Sequence, residues 1–233
     1  MSLSIHPFSL NPGSDGVRAC SRVISVEERQ RAQRYRRGEV TRRSIVARGN
    51  LRIILSEYTG IAPEDIAFET GIHGKPSIIP EQNPGSISFN LSHSHELGVV
   101  AVCRENDIGV DVEFLEKTRP FVTLARRYFS AAESGMIESL DPRFHREMFY
   151  RIWTLKESWL KATGLGITGL GLIGTASDAV PEDACRLRIV TWGEECCQMG
   201  PDGRPMDYRH FYPAPGYIAA YTRLYSSQIV STR

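Results

Sequence analysis

The stretch IGVDVEFLE, residues 108–116, sets two carboxylates two positions apart. On an extended strand, residues i and i+2 project from one face, so Asp111 and Glu113 stand side by side while Val110 and Val112 face a core. Carboxylates that close repel unless a cation neutralises them. An all-oxygen pair suits a hard ion such as Mg²⁺, which keeps waters and shares phosphate oxygens with a substrate. An exposed edge-strand face fits the same pattern. A third carboxylate lies in WTLKESWLKATG, residues 153–164. On a helix, Trp153, Glu157, Leu160, Lys161 and Gly164 share one side, with Glu157 one turn before Lys161. This is either a surface ion pair worth roughly 0.2–0.5 kcal/mol or, with Trp153 covering that side, a partly buried pair with acid–base capacity.

Two further stretches bear polar groups that suit a ligand. In FNLSHSHELGVVAV, residues 89–102, Ser92 and His93 end a strand and enter a turn, where an imidazole flanked by hydroxyls suits a phosphate. A Ser/His nucleophile pair is the other reading, although adjacency in sequence is not triad geometry and no G-x-S-x-G elbow occurs. In HGKPSI, residues 73–78, Lys75 stands between Gly74 and Pro76, an ammonium on a rigid turn that allows close backbone approach.

The elements that must position these groups read as follows. Ser25 is an N-cap candidate followed by acids, and apolar spacing predicts helices over 26–37 and 39–58, the second ending at Gly60. The runs 86–94 and 97–104 read as strands about a short turn, and 107–115 as a third strand. Residues 119–139 read as helix in two pieces and 144–163 as one long helix ending at Gly164. After it are expected Gly/Leu-rich strand material, a strand CRLRIVTW, a Gly/Pro-rich turn region and a last strand, GYIAAYTRLY. LRIILSEYTGI at 51–61 echoes LKESWLKATGLGI at 155–167, and LGVVAV echoes GYIAAY. The echo predicts two related α+β lobes, residues 1–107 and 108–233, or else is chance likeness between helix–strand segments.

Charge is uneven along the chain. The net charge is +1, yet residues 1–60 hold eleven arginines against five acids, so the remainder is acidic. The basic part suits an anion, either a polyphosphate or an acidic protein. Sparse aromatic interleaving and a pI of about 7.7 disfavour nucleic acid. Only four lysines occur among 28 basic residues, three of them in the distinctive stretches above. No apolar run approaches the roughly 20 residues of a membrane span, and no signal peptide is read at the N-terminus. Five cysteines without metal spacing read as reduced thiols, so a cytoplasmic protein is expected.

GKPSI, FNLSHS, IGVDVE, RRYFSAAE and FYRIWTLKESWLKATG, in this order and at these separations, resemble the 4′-phosphopantetheinyl transferases, best the two-lobed surfactin-synthetase-activating type. The resemblance covers residues 26–222. It implies an α+β fold of two similar lobes about a pseudo-twofold axis with the active site between them. The activity it implies is transfer of the phosphopantetheine arm of coenzyme A to a serine of an apo acyl carrier protein or a peptidyl or aryl carrier domain. Adenosine 3′,5′-bisphosphate is the other product, and a monomer is expected. By position, Asp111, Glu113 and Glu157 are implied to bind Mg²⁺, with Mn²⁺ as an alternative ion. Lys161 is implied at the pyrophosphate, Ser92, His93, Arg31 and Ser44 at the 3′-phosphate and nearby groups, and Gly74 and Lys75 at the adenine end. Arg31 stands where a lysine is usual. Glu157, Glu113 and Lys161 are implied to carry the catalysis, with Glu157 or Glu113 accepting the serine proton directly or through a metal-bound water. Glu133 resembles a further family glutamate near the metal, and residues 196–210 match no family motif. A catalytically silent coenzyme A or carrier-binding module of the same fold is the rival reading. A nucleotide-hydrolysing metalloenzyme is disfavoured because neither a P-loop nor an HExxH pattern is present.

Overall fold

The structure, a computed structural model, describes residues 3–165 and 196–225. The expected strand CRLRIVTW and the Gly/Leu-rich segment before it lie outside the described residues. The chain opens with strand β1 (Ser4–Ser9), then helices α1 (Gly13–Val23), α2 (Val26–Gln33) and α3 (Gly38–Thr59). The short hairpin β2 (Phe68–Thr70) and β3 (Pro76–Ile78) follows, and then β4 (Ile87–Ser94), β5 (Leu97–Arg104) and β6 (Asp107–Phe114). Helices α4 (Phe121–Tyr128), α5 (Ala131–Ser139) and α6 (Pro142–Thr163) come next, and β7 (Cys196–Met199), β8 (Pro205–Phe211) and β9 (Tyr217–Leu224) complete the described chain. It is a mixed α/β protein.

Local chemistry sets the helix limits. The Ser25 hydroxyl accepts the Glu28 N–H while Glu28 accepts the Ser25 N–H, a reciprocal cap that starts α2. Asp141 caps α6, which has Pro142 in its first turn, and α3 and α6 both stop at a left-handed glycine, Gly60 and Gly164. Three expectations need correction. Helix α2 ends at Gln33, four residues early, because residues 34–37 turn the chain into α3. The first 24 residues, to which no element was assigned, form β1 and α1; β1 is an edge strand, where Pro7 is tolerated. The expected turn region after 192 contains β7 and β8, with the turns confined to the stretches around Gly203 and Gly216.

Two antiparallel sheets matter for the site. One has the order β1-β5-β4 and the other β6-β9-β8-β7. Their edges, β4 and β6, run alongside each other joined by side chains. Asn90 Oδ1 accepts the Val110 N–H (3.0 Å), Ser92 Oγ the Val112 N–H (3.3 Å) and Ser94 Oγ the Phe114 N–H (3.1 Å). Val99, Ala101 and Cys103 of β5 pack with Ile108, Val110 and Val112 of β6 and with Ala219 and Tyr221 of β9 in one core. Helix α3 covers the other face of the first sheet through Leu51 and Leu55 against Phe89, Val100 and Val102. Helix α6 lies on the opposite face of β6. At Gly109 a Cβ would come 1.9 Å from the Ser158 carbonyl oxygen and 2.4 Å from the Ala162 nitrogen, so strand and helix backbones touch there. Gly109, Asp111 and Glu113 therefore all face α6, as strand alternation requires. Among the described residues no helix is long and apolar enough to cross a membrane.

Candidate active site

Asp111 is the centre of the site. It is 5% exposed, and its Oδ1 accepts hydrogen bonds from Lys161 Nζ (2.6 Å) and Ser92 Oγ (2.9 Å). Its other oxygen, Oδ2, is buried without a hydrogen-bond partner. A buried carboxylate oxygen left bare is costly, and a cation is what satisfies it. Glu113 is half-buried and accepts the Ser94 hydroxyl (2.9 Å), and the Trp153 indole on α6 favours its charged form. Burial, and after it the charge of Asp111, push the Glu113 pKa up to about 7. Glu157 is raised by the same two causes in the same order, with Lys161 opposing them.

Both glutamates thus feel Asp111, and the cluster strains against its own negative charge. Among the described residues, however, no three His, Cys, Asp or Glu side chains stand at metal-holding spacing. The Lys161 ammonium sits on Asp111 instead, and the expected Glu157–Lys161 helix pair gives way to this longer-range contact. The donor set is all oxygen, one oxygen is buried and bare, and burial together with the Asp111 charge raises both glutamates. In donor type, though not in spacing, these residues fit a hard divalent cation.

The remaining candidates separate into groups. His93 lies exposed at the end of β4. Its pKa is lowered, first by the protein packed around it and then by the charges of Lys161 and Arg43. Arg43 is the arginine that α3 brings to this end of the site; it pairs with Glu39 at 2.6 Å, and its Nε is buried and unpartnered. Ser44 follows it, half-buried. Arg31 is exposed on α2, where its charge acts on Arg48, and among the described residues no contact joins it to His93. Lys75 lines a cleft of about 470 Å³ with Ile72, His73, Phe89, Thr163 and Gly164; Gly74 (φ 86°) shapes the turn at its edge without lining it. The Lys75 ammonium is not free on its turn. It donates to the carbonyls of Ile108 (3.1 Å) and Ala162 (2.9 Å), and burial lowers its pKa. The cleft therefore ends one residue from Lys161. Glu133 stands apart from the carboxylates, accepting from the Ser130 N–H (2.8 Å), the Ser130 hydroxyl (2.9 Å) and the buried Lys156 ammonium (2.7 Å).

Comparison with known proteins agrees with this arrangement. A profile described as 4′-phosphopantetheinyl transferase superfamily matches residues 107–199, and one described as 4′-phosphopantetheinyl transferase, N-terminal, matches residues 9–105. The 4′-phosphopantetheinyl transferase psf-1 of Bacillus pumilus is 34% identical over 163 residues, covering 70% of this chain and 67% of that protein. The chain belongs to the 4′-phosphopantetheinyl transferase superfamily. The transferase HetI of Nostoc sp. is 39% identical over 142 residues, 61% of this chain and 60% of HetI, so the match spans about three fifths of that relative. The transferase Sfp of Bacillus subtilis is 27% identical over 200 residues, 84% of this chain and 80% of Sfp.

Sequence reasoning missed two parts of this candidate site. Arg43 is hidden in a run of arginines whose types and spacing give no way to choose one. Ser94 and Asn90 carry a legible signal, the polar period-two pattern Asn90-x-Ser92-x-Ser94 of β4, but which strand it meets is a matter of tertiary structure.

Proposed function

We propose that this chain transfers the 4′-phosphopantetheine arm of coenzyme A to the acceptor serine of an apo acyl carrier protein or a peptidyl or aryl carrier domain, releasing adenosine 3′,5′-bisphosphate. The observation that carries the reading is the bare, buried Asp111 Oδ2 set among Glu113, Glu157 and Lys161. Asp111, Glu113 and Glu157 are the residues that would hold Mg²⁺, or Mn²⁺ in its place. When bound, the ion supplies positive charge against the pyrophosphate. In the reaction the serine oxygen bonds to the β-phosphorus, the P–O bond to the nucleotide breaks, and the electron pair leaves with the bisphosphate. Glu157 or Glu113 takes the serine proton; burial and the Asp111 charge make each a stronger base than a solvated carboxylate. Lys161, 28% exposed and anchored on α6, meets the charge that gathers on the departing group.

His93, Arg31 and Ser44 are assigned to the 3′-phosphate end, with Arg43 added by its place beside His93. Ser92 belongs there through its main chain, because its hydroxyl is engaged on Asp111. Gly74 and Lys75 frame the adenine end at the cleft, Lys75 by its position and stem rather than its ammonium. The pseudo-twofold pair of lobes, divided as 1–107 and 108–233, is supported by two profiles that meet between residues 105 and 107. A monomer acting in the cytoplasm is consistent with the free thiols of Cys20 and Cys103. The arginine-rich α2–α3 region is assigned to docking an acidic carrier helix.

The test is incubation with coenzyme A, Mg²⁺ and a panel of apo carrier proteins, read by intact mass. The reading expects a gain of one phosphopantetheine, absent from carriers whose acceptor serine is alanine. Coenzyme A binding with no adduct on any carrier supports the silent module instead.

A further inference from the structure

The two serines of β4 make the same pair of contacts two residues apart. The Ser92 hydroxyl donates to Asp111 Oδ1 (2.9 Å) and accepts the N–H of the next residue, Val112 (3.3 Å). The Ser94 hydroxyl donates to Glu113 Oε2 (2.9 Å) and accepts the N–H of the next residue, Phe114 (3.1 Å). Asn90 makes the backbone half of this contact at Val110 (3.0 Å), where the preceding residue is Gly109 and no carboxylate exists to hold. Two residues of strand advance roughly 6.6–6.8 Å in both β4 and β6, so the contacts repeat in step along the seam. A slip of one residue would turn all three side chains away.

Hydrogen-bond capacity sharpens the point. A hydroxyl has one hydrogen and two lone pairs. Ser92 gives its hydrogen to Asp111 and fills its lone pairs with the Val112 N–H and the Lys161 ammonium (2.9 Å), so no hydrogen remains for a phosphate. Ser94 gives its hydrogen to Glu113. Glu113 is therefore held from the neighbouring sheet, on the face of β6 that α6 covers.

We propose that Ser92 and Ser94 are positioning residues. Each hydroxyl uses a β6 backbone N–H as its reference and aims the adjacent carboxylate, Asp111 or Glu113, at the cation position. The proposal rests on the metal-dependent reading above. It assigns Ser94 a role in metal binding and takes the Ser92 side chain away from the coenzyme. Loss of an outer-shell partner of this kind lowers metal affinity about 10–100-fold.

The direct test titrates Mn²⁺ into the full-length protein without substrate and follows free Mn²⁺ by electron paramagnetic resonance. Ser94→Ala is expected to raise the Mn²⁺ dissociation constant about 10-fold while leaving coenzyme A affinity in the absence of metal unchanged. Ser94→Thr, which keeps the hydroxyl, restores Mn²⁺ affinity to within about threefold of wild type, and circular dichroism confirms that all variants are folded. A wild-type protein that binds Mn²⁺ with Ser94→Ala binding it equally well overturns the positioning role alone. So does a Ser94→Thr variant as weak as Ser94→Ala. A wild-type protein that binds no Mn²⁺ overturns the metal site itself, and the proposal with it.

Discussion

Lys156 and Lys161, five residues apart on α6, show how one helix serves both packing and chemistry. Lys156 is 1% exposed, paired with Glu133 and set near the Phe129 ring, while the partly exposed Lys161 reaches Asp111 Oδ1. Breaking a buried pair from one side costs about 3–5 kcal/mol, less where a partner keeps some exposure as Glu133 does. Lys156→Met is expected to lower stability by about 2–3 kcal/mol in urea denaturation. Lys161→Met removes a more exposed ammonium, so it should cost less stability than Lys156→Met but lose about 100-fold or more in kcat with carrier and coenzyme A saturating. Equal effects of the two substitutions on stability would refute this division. His210 offers a separate check. It is 4% exposed, its Nε2–H donates to the Arg151 carbonyl (2.9 Å), and burial lowers its pKa to about 4. The unfolded chain, with an imidazole near 6.5, binds the extra proton first. Stability is therefore full above about pH 6.5 and falls as pH drops toward 4, by up to about 3 kcal/mol. His210→Gln keeps an amide for the Arg151 carbonyl without the charge, and melting curves between pH 4 and 7 should show a shallower slope for it than for wild type.

Strand β6 and helix α6 set the site because their backbones meet at Gly109. Gly109→Ala places a methyl against the Ser158 carbonyl, where neither backbone can yield without moving Asp111 or Lys161. Overpacking of this kind typically costs about 1–3 kcal/mol. The variant is expected at the upper end of that range in chemical denaturation and with activity reduced in the surviving fold. A variant as stable and active as wild type would show that strand and helix are not in contact there. Elements with strong local signals were legible in the sequence: the β-rich runs of β4 and β5, the apolar alternation of β6, and the glycine-stopped α3 and α6. Elements defined by partners were not. β1 is an edge strand ordered by pairing with β5, and β8, in a region read as turns, hides Asp207 at 1% exposure because Arg223 of β9 neutralises it.

At the scale of the whole molecule, residues far apart in sequence meet along one seam between two sheets. Asp111 and Glu113 were recognisable as a pair because strand geometry alone puts them on one face, and Glu157 because helix spacing puts it beside Trp153 and Lys161. What no local pattern could give is that Lys161 would choose Asp111 over Glu157, that Lys75 would tie Ile108 to Ala162, or that Arg43 and not Arg31 would stand by His93. Those outcomes depend on how α3, β4 and α6 pack, which is long-range information. The central claim is that Asp111 organises a phosphopantetheine-transfer site. It is tested most directly by an intact-mass time course of one apo carrier protein with coenzyme A and Mg²⁺, run in parallel with wild type and Asp111→Asn. The account predicts full conversion of the carrier by wild type and none by the folded variant over the same period. Conversion at equal rates, or no conversion by wild type of any carrier tried, would contradict it.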